Sequence, residues 1–149
     1  MERKAKKGVF YFGVFFLFLL AVSMAQATVL NVPGEYATIQ AAIDAADAGD
    51  TVQVSPGTYF ENITLKNGVT VQGSGADTCV LQGNGTSSVV FASGITQSTA
   101  LYGFTIAGGA GFVVPWSENR IMGGGIFADQ SVLTIGNNRI SGNRAQFGG

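Results

Sequence analysis

The fold is decided by residues 31–65, which read NVPGEYATIQAAIDAADAGDTVQVSPGTYFENITL. In the alanine-rich part of this stretch, apolar residues recur at i, i+3, i+4 and i+7, which is the spacing of one face of a helix. These residues are Ile39, Ala42, Ile43 and Ala46. We predict an α-helix over about residues 38–48, with Thr38 as its N-cap and Gly49 as its C′ residue.

The chain after Gly49 changes character, because short β-prone runs alternate with Gly and Asn and no segment keeps helical periodicity over ten residues. The predicted strands cover residues 29–32, 51–54, 59–65, 69–72, 79–82, 88–92, 100–107, 125–128 and 132–140, the last with a break at Gly136. A helix with a narrow stripe of small apolar residues lies flat on an apolar surface. We therefore expect it to cover one end of a stack of β-coils.

The opening stretch also carries a family resemblance within residues 29–75. The order VP-x-x-Y-x-TIQAAIDAA-x-x-GDTV-x-V-x-PGTY-x-ENI resembles the N-terminal signature of secreted right-handed parallel β-helix proteins of the pectate-lyase-like superfamily. Later segments, GFTIAGG, GGGIFA and NNRISGN, match as degenerate repeats. The resemblance implies a fold and secretion but no particular reaction, because this superfamily includes lyases, hydrolases, epimerases, phage tailspikes, adhesins and surface proteins without known activity.

Internal repeats favour a β-helix over a sandwich. Residues 103–109 align with 137–143 at a spacing of 34, whereas Gly123-Gly124 aligns with Gly148-Gly149 at a spacing of 25. If one coil takes about 25 residues, the longer spacing indicates an inserted loop. We place this loop in residues 110–122, which read AGFVVPWSENRIM.

The predicted fold is therefore all-β, a right-handed parallel β-helix with a short N-terminal capping α-helix. Residues 28–50 form the first strand and the cap, and residues 51–149 form about four to five coils. Ile106 and Ile140, at matched repeat positions, are expected to stack inward. We also expect further coils of the same chain beyond Gly149.

The N-terminus predicts export. Residues 1–8 carry four basic side chains, residues 9–22 are an apolar run of 14, and residues 23–27 offer an A-x-A cleavage site. This order is typical of a signal peptide over residues 1–27, cleaved after Ala27. A membrane anchor is the alternative, but a spanning helix needs about 20 apolar residues. We predict a secreted or cell-surface protein with no membrane span after cleavage.

Charge and residue types exclude several functions. Without residues 1–27 the chain has four basic and eight acidic residues, a net charge of −4, which disfavours nucleic acid as a partner. The sequence contains no histidine, so Ser-His-Asp and Cys-His catalysis and most zinc sites are excluded. The only cysteine, Cys79, can form no internal disulfide and is expected to be a small buried hydrophobe.

No catalytic residue, metal site or cofactor is predicted, because the acidic residues are scattered along the chain. The turn residues Asn137, Asn138 and Asn143 have a structural interpretation, amide ladders between coils, and a functional one, sugar binding. Arg139 should point outward, the direction that the resemblance implies for a lyase arginine. It lacks a neighbouring cluster of carboxylates, so we interpret it as part of a solvated strand face.

The predicted inserted loop is the best candidate site. It contains the sole tryptophan, Trp116, which could stack on a sugar ring, with polar residues that could bind hydroxyl groups. The candidate ligand-binding residues are Trp116, Glu118, Asn119 and Arg120. Alternatively, Trp116 folds back beside Val113 and Val114 to cover apolar surface.

Two functions remain open on the sequence alone. The first is a scaffold or carbohydrate-binding module with polysaccharide as its candidate partner. The alternative is the N-terminal part of a polysaccharide lyase or glycoside hydrolase whose active-site coils lie beyond Gly149.

Overall fold

A computed structural model describes residues 26–148, so nearly all of the predicted signal peptide lies outside the described residues. The described chain has one α-helix, one 3-10 turn and 14 strands, most of them three or four residues long. In chain order these are β1 (Val29–Val32), α1 (Ile39–Ala45), β2 (Thr51–Val54), β3 (Gly57–Tyr59), β4 (Ile63–Thr64), β5 (Thr70–Gly73), β6 (Cys79–Gln82), β7 (Val90–Ser93), β8 (Thr99–Tyr102), β9 (Thr105–Ala107), β10 (Phe112–Val114), the 3-10 turn (Pro115–Ser117), β11 (Arg120–Met122), β12 (Ile126–Asp129), β13 (Leu133–Gly136) and β14 (Arg139–Ile140). Within residues 26–148, no helix has the length and apolar character needed to cross a membrane.

The strands form three parallel sheets and one antiparallel hairpin. The first sheet has the order β1-β2-β5-β8-β13, the second β3-β6-β9-β14, and the third β4-β7-β12. All the paired strands within these sheets are parallel, and β10 pairs with β11 antiparallel. From β2 onward the chain visits the first, second and third sheets in rotation. This all-β arrangement with parallel sheets is consistent with a β-helix.

Both repeat spacings found in the sequence correspond to neighbouring strands. Ile106 lies beside Ile140 in the second sheet, which is the spacing of 34. Met122 forms a parallel bridge with Phe147, which is the spacing of 25. Ile106 is fully buried as predicted, whereas Ile140 is 48% exposed because it lies at the edge of its sheet. The predicted repeat register is therefore confirmed.

Two predicted strands are each interrupted by a corner. The run 100–107 divides into β8 and β9, and the run 59–65 divides into β3 and β4. At the first of these corners Gly103 has a φ of 75°, a conformation that glycine adopts without strain, and Phe104 is fully buried beside it. A β-prone run of residues does not reveal a corner at which the chain passes from one sheet to the next.

The core lies between the three sheets, where alternate strand residues point inward. Its fully buried side chains include Val52, Val54, Ile63, Val69, Val71, Cys79, Leu81, Leu101, Phe104 and Ile106. Cys79 is among them, which confirms its predicted place as a small buried residue.

Helix α1 packs on this core at the end where β1 and β2 lie. All four residues of the predicted apolar stripe are buried. The Thr38 hydroxyl accepts a hydrogen bond from the Ala41 N–H at 3.1 Å, so the predicted N-cap is confirmed. The helix ends at Ala45, and Ala46 is already extended, so the predicted C′ role of Gly49 is wrong. Gly49 instead occupies the turn that follows, with a φ of 101°.

Side chains that flank β4 satisfy both ends of α1, which has no acidic residue in its first turn and no basic residue in its last. The Glu61 carboxylate accepts hydrogen bonds from the Ile39 and Gln40 N–H groups at 3.0 and 3.1 Å. The Lys66 ammonium donates to two carbonyls at the C-terminal end, at 3.0 and 2.5 Å. These charges complement the helix dipole.

The helix also covers the free edge of the third sheet at β4. The Gln40 side-chain amide accepts from the Thr64 N–H at 2.7 Å and donates to the Thr64 carbonyl at 3.4 Å. A side chain thereby takes the hydrogen-bonding positions that another strand would occupy. This is a way of closing an edge against further pairing.

Candidate functional site

The predicted insertion is a β-hairpin rather than an irregular loop. Strands β10 and β11 pair antiparallel, with Val114 opposite Arg120 as the last pair before the tip. The tip consists of the 3-10 turn followed by Glu118 and Asn119, which both have left-handed φ values, 60° and 58°. Two consecutive left-handed residues reverse the chain within a short distance.

One face of the hairpin is fixed to the body of the protein by aromatic packing. Phe91 of β7 lies between two buried, inward-pointing residues, so its own ring is on the outer side of the third sheet. Phe127 of β12 is its partner in register, and the two rings stack with centroids 5.5 Å apart. Phe112 of β10 contacts both rings, at 4.9 and 5.0 Å. On the same hairpin face, Val114 is only 2% exposed.

The outer edge of β11 is held by a segment that follows β14. The Ile121 N–H donates to the Gln146 Oε1 at 3.0 Å, and the Ile121 carbonyl accepts from the backbone N–H groups of Gln146 and Phe147. The Arg120 guanidinium lies 5.5 Å from the centre of the Phe147 ring. The hairpin is thus held along one face and along one edge.

Trp116 lies in the 3-10 turn at the hairpin tip and is 69% exposed. Its ring is therefore open to solvent and does not fold back to cover the surface beside Val113. Exposure of a large aromatic ring on a fixed hairpin is the geometry that stacking on a ligand requires.

The structure brings the three polar candidates to the same tip. Glu118 and Arg120 form an ion pair at 3.2 Å, and both side chains are largely exposed. Asn119, between them, is also exposed. Because the two charges neutralise each other, the tip around Trp116 has donors and acceptors but little net charge.

Beside the hairpin lies an open cleft of about 270 Å³ that sequence reasoning missed. It is lined by Ala110, Ile121, Arg144, Ala145 and Gln146. These residues come from two stretches one repeat apart, and the spacing of 34 places Ala110 at the level of Arg144. The repeat register was the signal that could have found the cleft.

One residue of the cleft lining also belongs to an apolar pair of the hairpin. Ile121 lies directly opposite Val113 in the hairpin, so both side chains are on the same face. Val113 is 47% exposed. The cleft lining and this pair are largely apolar, and Trp116 lies further along the same hairpin, at its tip.

The turn asparagines have a structural role. Asn138 accepts from the Phe104 N–H at 2.9 Å and donates to the Leu101 carbonyl at 2.8 Å. Asn143 accepts from the Gly109 N–H at 2.8 Å and also donates to a backbone carbonyl of the preceding repeat. Their partners are backbone groups rather than other asparagine amides, so these two amides tie successive repeats together without forming a ladder.

Arg139 points outward, as predicted, and forms an exposed ion pair with Asp77 at 2.8 Å. Sequence reasoning missed Asp77 because 62 residues separate the partners. Within residues 26–148 no group of three or more acidic or cysteine side chains is placed to hold a metal ion. No protein-family model, curated protein or solved structure matches this chain.

Proposed function

We propose that this is a secreted or cell-surface protein with a right-handed parallel β-helix fold, whose β10–β11 hairpin binds polysaccharide. Trp116 is the stacking residue, and Glu118, Asn119 and Arg120 are the polar residues around it. The coils serve as a rigid scaffold that presents the hairpin.

The fold part of the proposal is supported by the three parallel sheets, which the chain visits in rotation. It is also supported by helix α1, which covers one end as a cap does in solenoid proteins. The sequence resemblance to the pectate-lyase-like superfamily and the predicted signal peptide point to the same fold and to export.

The observation that carries the binding part is the exposure of Trp116, 69%, on a hairpin that is otherwise anchored. An exposed indole ring gains by stacking on the apolar C–H face of a sugar, and the neighbouring amide and charged groups can bond hydroxyls. Holding the ring on a paired hairpin reduces the entropy lost on binding.

The cleft beside the hairpin, the Val113–Ile121 pair and Trp116 at the tip together favour a ligand of several sugar residues in a row. Ile121 and Val113 extend the stacking surface away from Trp116, and the cleft ends it. The net charge of −4 that remains without residues 1–27 and the neutralised Glu118–Arg120 pair favour an uncharged polysaccharide over an anionic one.

The test is a fluorescence titration, because Trp116 is the only tryptophan and so reports on the site directly. Cellohexaose and mannohexaose are added to the protein. Cellobiose and mannobiose serve as short-chain controls, and a uronic-acid polymer serves as the anionic control. We expect a saturable change in Trp116 emission that is strongest for a neutral hexasaccharide. No change with any of these sugars would contradict the proposal.

The same samples are assayed for released reducing ends. Binding without cleavage is the expected result. Cleavage would support the alternative function, part of a polysaccharide lyase or glycoside hydrolase.

A further inference from the structure

Asp50, in the turn between α1 and β2, is an acidic side chain with only 8% of its surface exposed. Its Oδ1 accepts a hydrogen bond from the Thr28 N–H at 2.7 Å, and its Oδ2 accepts one from the Asp47 N–H at 2.8 Å. These two hydrogen bonds lower the pKa of Asp50 below its usual value, and the one from Thr28 has the larger effect. The carboxylate is therefore ionised at neutral pH and is held by backbone groups on both sides.

Thr28 is joined to the fold through its backbone. Its carbonyl accepts a hydrogen bond from the Thr51 N–H at 2.9 Å, next to the first pair of residues in register between β1 and β2. Gln26 and Ala27, which precede it, are exposed and belong to no strand or helix. The predicted cleavage bond, between Ala27 and Thr28, thus lies directly before the ordered strand.

We propose, on the basis of the export and cleavage proposed above, that cleavage at this bond converts the Thr28–Asp50 hydrogen bond into an ion pair. Hydrolysis consumes one water, leaves a carboxylate on Ala27 of the released leader and gives Thr28 an α-ammonium group. The ammonium carries a full positive charge and three donors, at the position where the uncleaved chain has one neutral amide N–H, 2.7 Å from Asp50. Export processing therefore supplies the partner charge for a buried carboxylate.

The ion pair has a defined dependence on pH. An α-amino group has an ordinary pKa of about 7.7 to 8.0, and the Asp50 carboxylate raises it in the folded state. The other charged group that acts on Asp50 is Lys66, whose positive charge opposes the effect, whereas Asp47 contacts Asp50 through its backbone N–H. Because the folded pKa is raised, the stabilisation is fully present below the unfolded pKa and is lost as pH rises through the folded one.

The experiment begins with the N-terminal sequence of the secreted protein, for which we expect Thr28 as the first residue. Two chains are then compared, one beginning at Thr28 and one that keeps Ala27, each made by scarless removal of a fusion partner. At pH 7 we expect the chain beginning at Thr28 to melt about 4 °C higher. The difference in melting temperature should vanish above about pH 10, where the ammonium is neutral. It should also vanish when both chains carry Asp50→Asn.

Equal melting temperatures of the two chains at pH 7 would overturn the inference, as would a secreted protein that begins at another residue. If Asp50→Asn does not fold, the secreted protein with its α-amino group acetylated is measured instead of that variant. Acetylation should remove the same 4 °C, and an unchanged melting temperature would contradict the ion pair. Polysaccharide binding is unaffected in either case, because Thr28 is not part of the hairpin.

Discussion

Helix α1 and the β10–β11 hairpin are both additions to the three parallel sheets, but their side chains are used differently. The helix buries Ile39, Ala42 and Ile43, and its ends are satisfied by Glu61 and Lys66. The hairpin buries one face on an aromatic cluster and leaves its tip exposed. At the tip, the charged residues Glu118 and Arg120 form an exposed ion pair with each other, and neither is bonded to the core.

This difference separates stability from function. The two polar side chains of α1 are both engaged within the chain, because Gln40 bonds to Thr64 of β4 and donates to the Asp44 carboxylate. The hairpin tip contributes little to the fold and keeps its ring and polar groups available. Substitutions in the helix should therefore have large effects on stability, and substitutions at the tip should have small ones.

The largest effect is expected for Ile43→Asp. Ile43 is 1% exposed against the first coil, and an unpaired carboxylate there should cost several kcal/mol, roughly 3 to 5, in the free energy of unfolding. Chemical denaturation measures it. Ala41→Asp is the matched control, because Ala41 is exposed on the same helix, near the N-terminal end where an acidic residue is tolerated. Equal effects of both variants would show that α1 does not act as a cap.

A smaller loss is expected for Phe112→Ala, the anchor of the hairpin. Its ring contacts Phe91 and Phe127 but is only partly buried, so we expect about 2 kcal/mol, less than for a fully buried phenylalanine. Phe60→Ala is the control, because Phe60 is 80% exposed. Urea unfolding curves compare the two, and indistinguishable midpoints would mean that the aromatic cluster does not hold the hairpin.

The two carboxylates Glu61 and Glu118 sharpen the comparison further. Glu61→Ala leaves two N–H groups at the start of α1 without their acceptor and should cost about 1 to 2 kcal/mol. Glu118→Ala breaks only an exposed ion pair and should cost less than about 0.5 kcal/mol. Thermal melts compare the loss of stability in the two variants. A larger loss for Glu118→Ala than for Glu61→Ala would contradict the roles assigned to the two carboxylates.

Much of the fold could be predicted because its signals are local or repeated. The stripe of α1 and the Thr38 cap lie within a few residues of each other, and the spacing of 34 gives the register of Ile106 with Ile140. The insertion could also be placed from the repeats, because the longer of the two repeat spacings contains the inserted residues.

The rest depends on contacts between coils. Glu61 reaches α1 from 21 and 22 residues away, Asp77 reaches Arg139 from 62, and neither pairing has a local pattern. The hairpin was not predicted because residues 112–122 show neither strict alternation nor a glycine at the turn, and Glu118 and Asn119 supply the left-handed positions instead. The exposure of Trp116 likewise depends on how Phe112 and Val114 anchor the strand before it.

The most direct test of the central claim is to measure the stability and the polysaccharide affinity of Trp116→Ala side by side, with Arg139→Ala as an exposed control away from the hairpin. We predict a change in the free energy of unfolding below about 0.5 kcal/mol, because the ring is largely exposed. Affinity for the neutral hexasaccharide, measured by calorimetry, should fall at least about tenfold, while Arg139→Ala binds as the wild type does. Retained affinity together with a clear loss of stability would contradict the account, because Trp116 would then serve the fold and not a ligand.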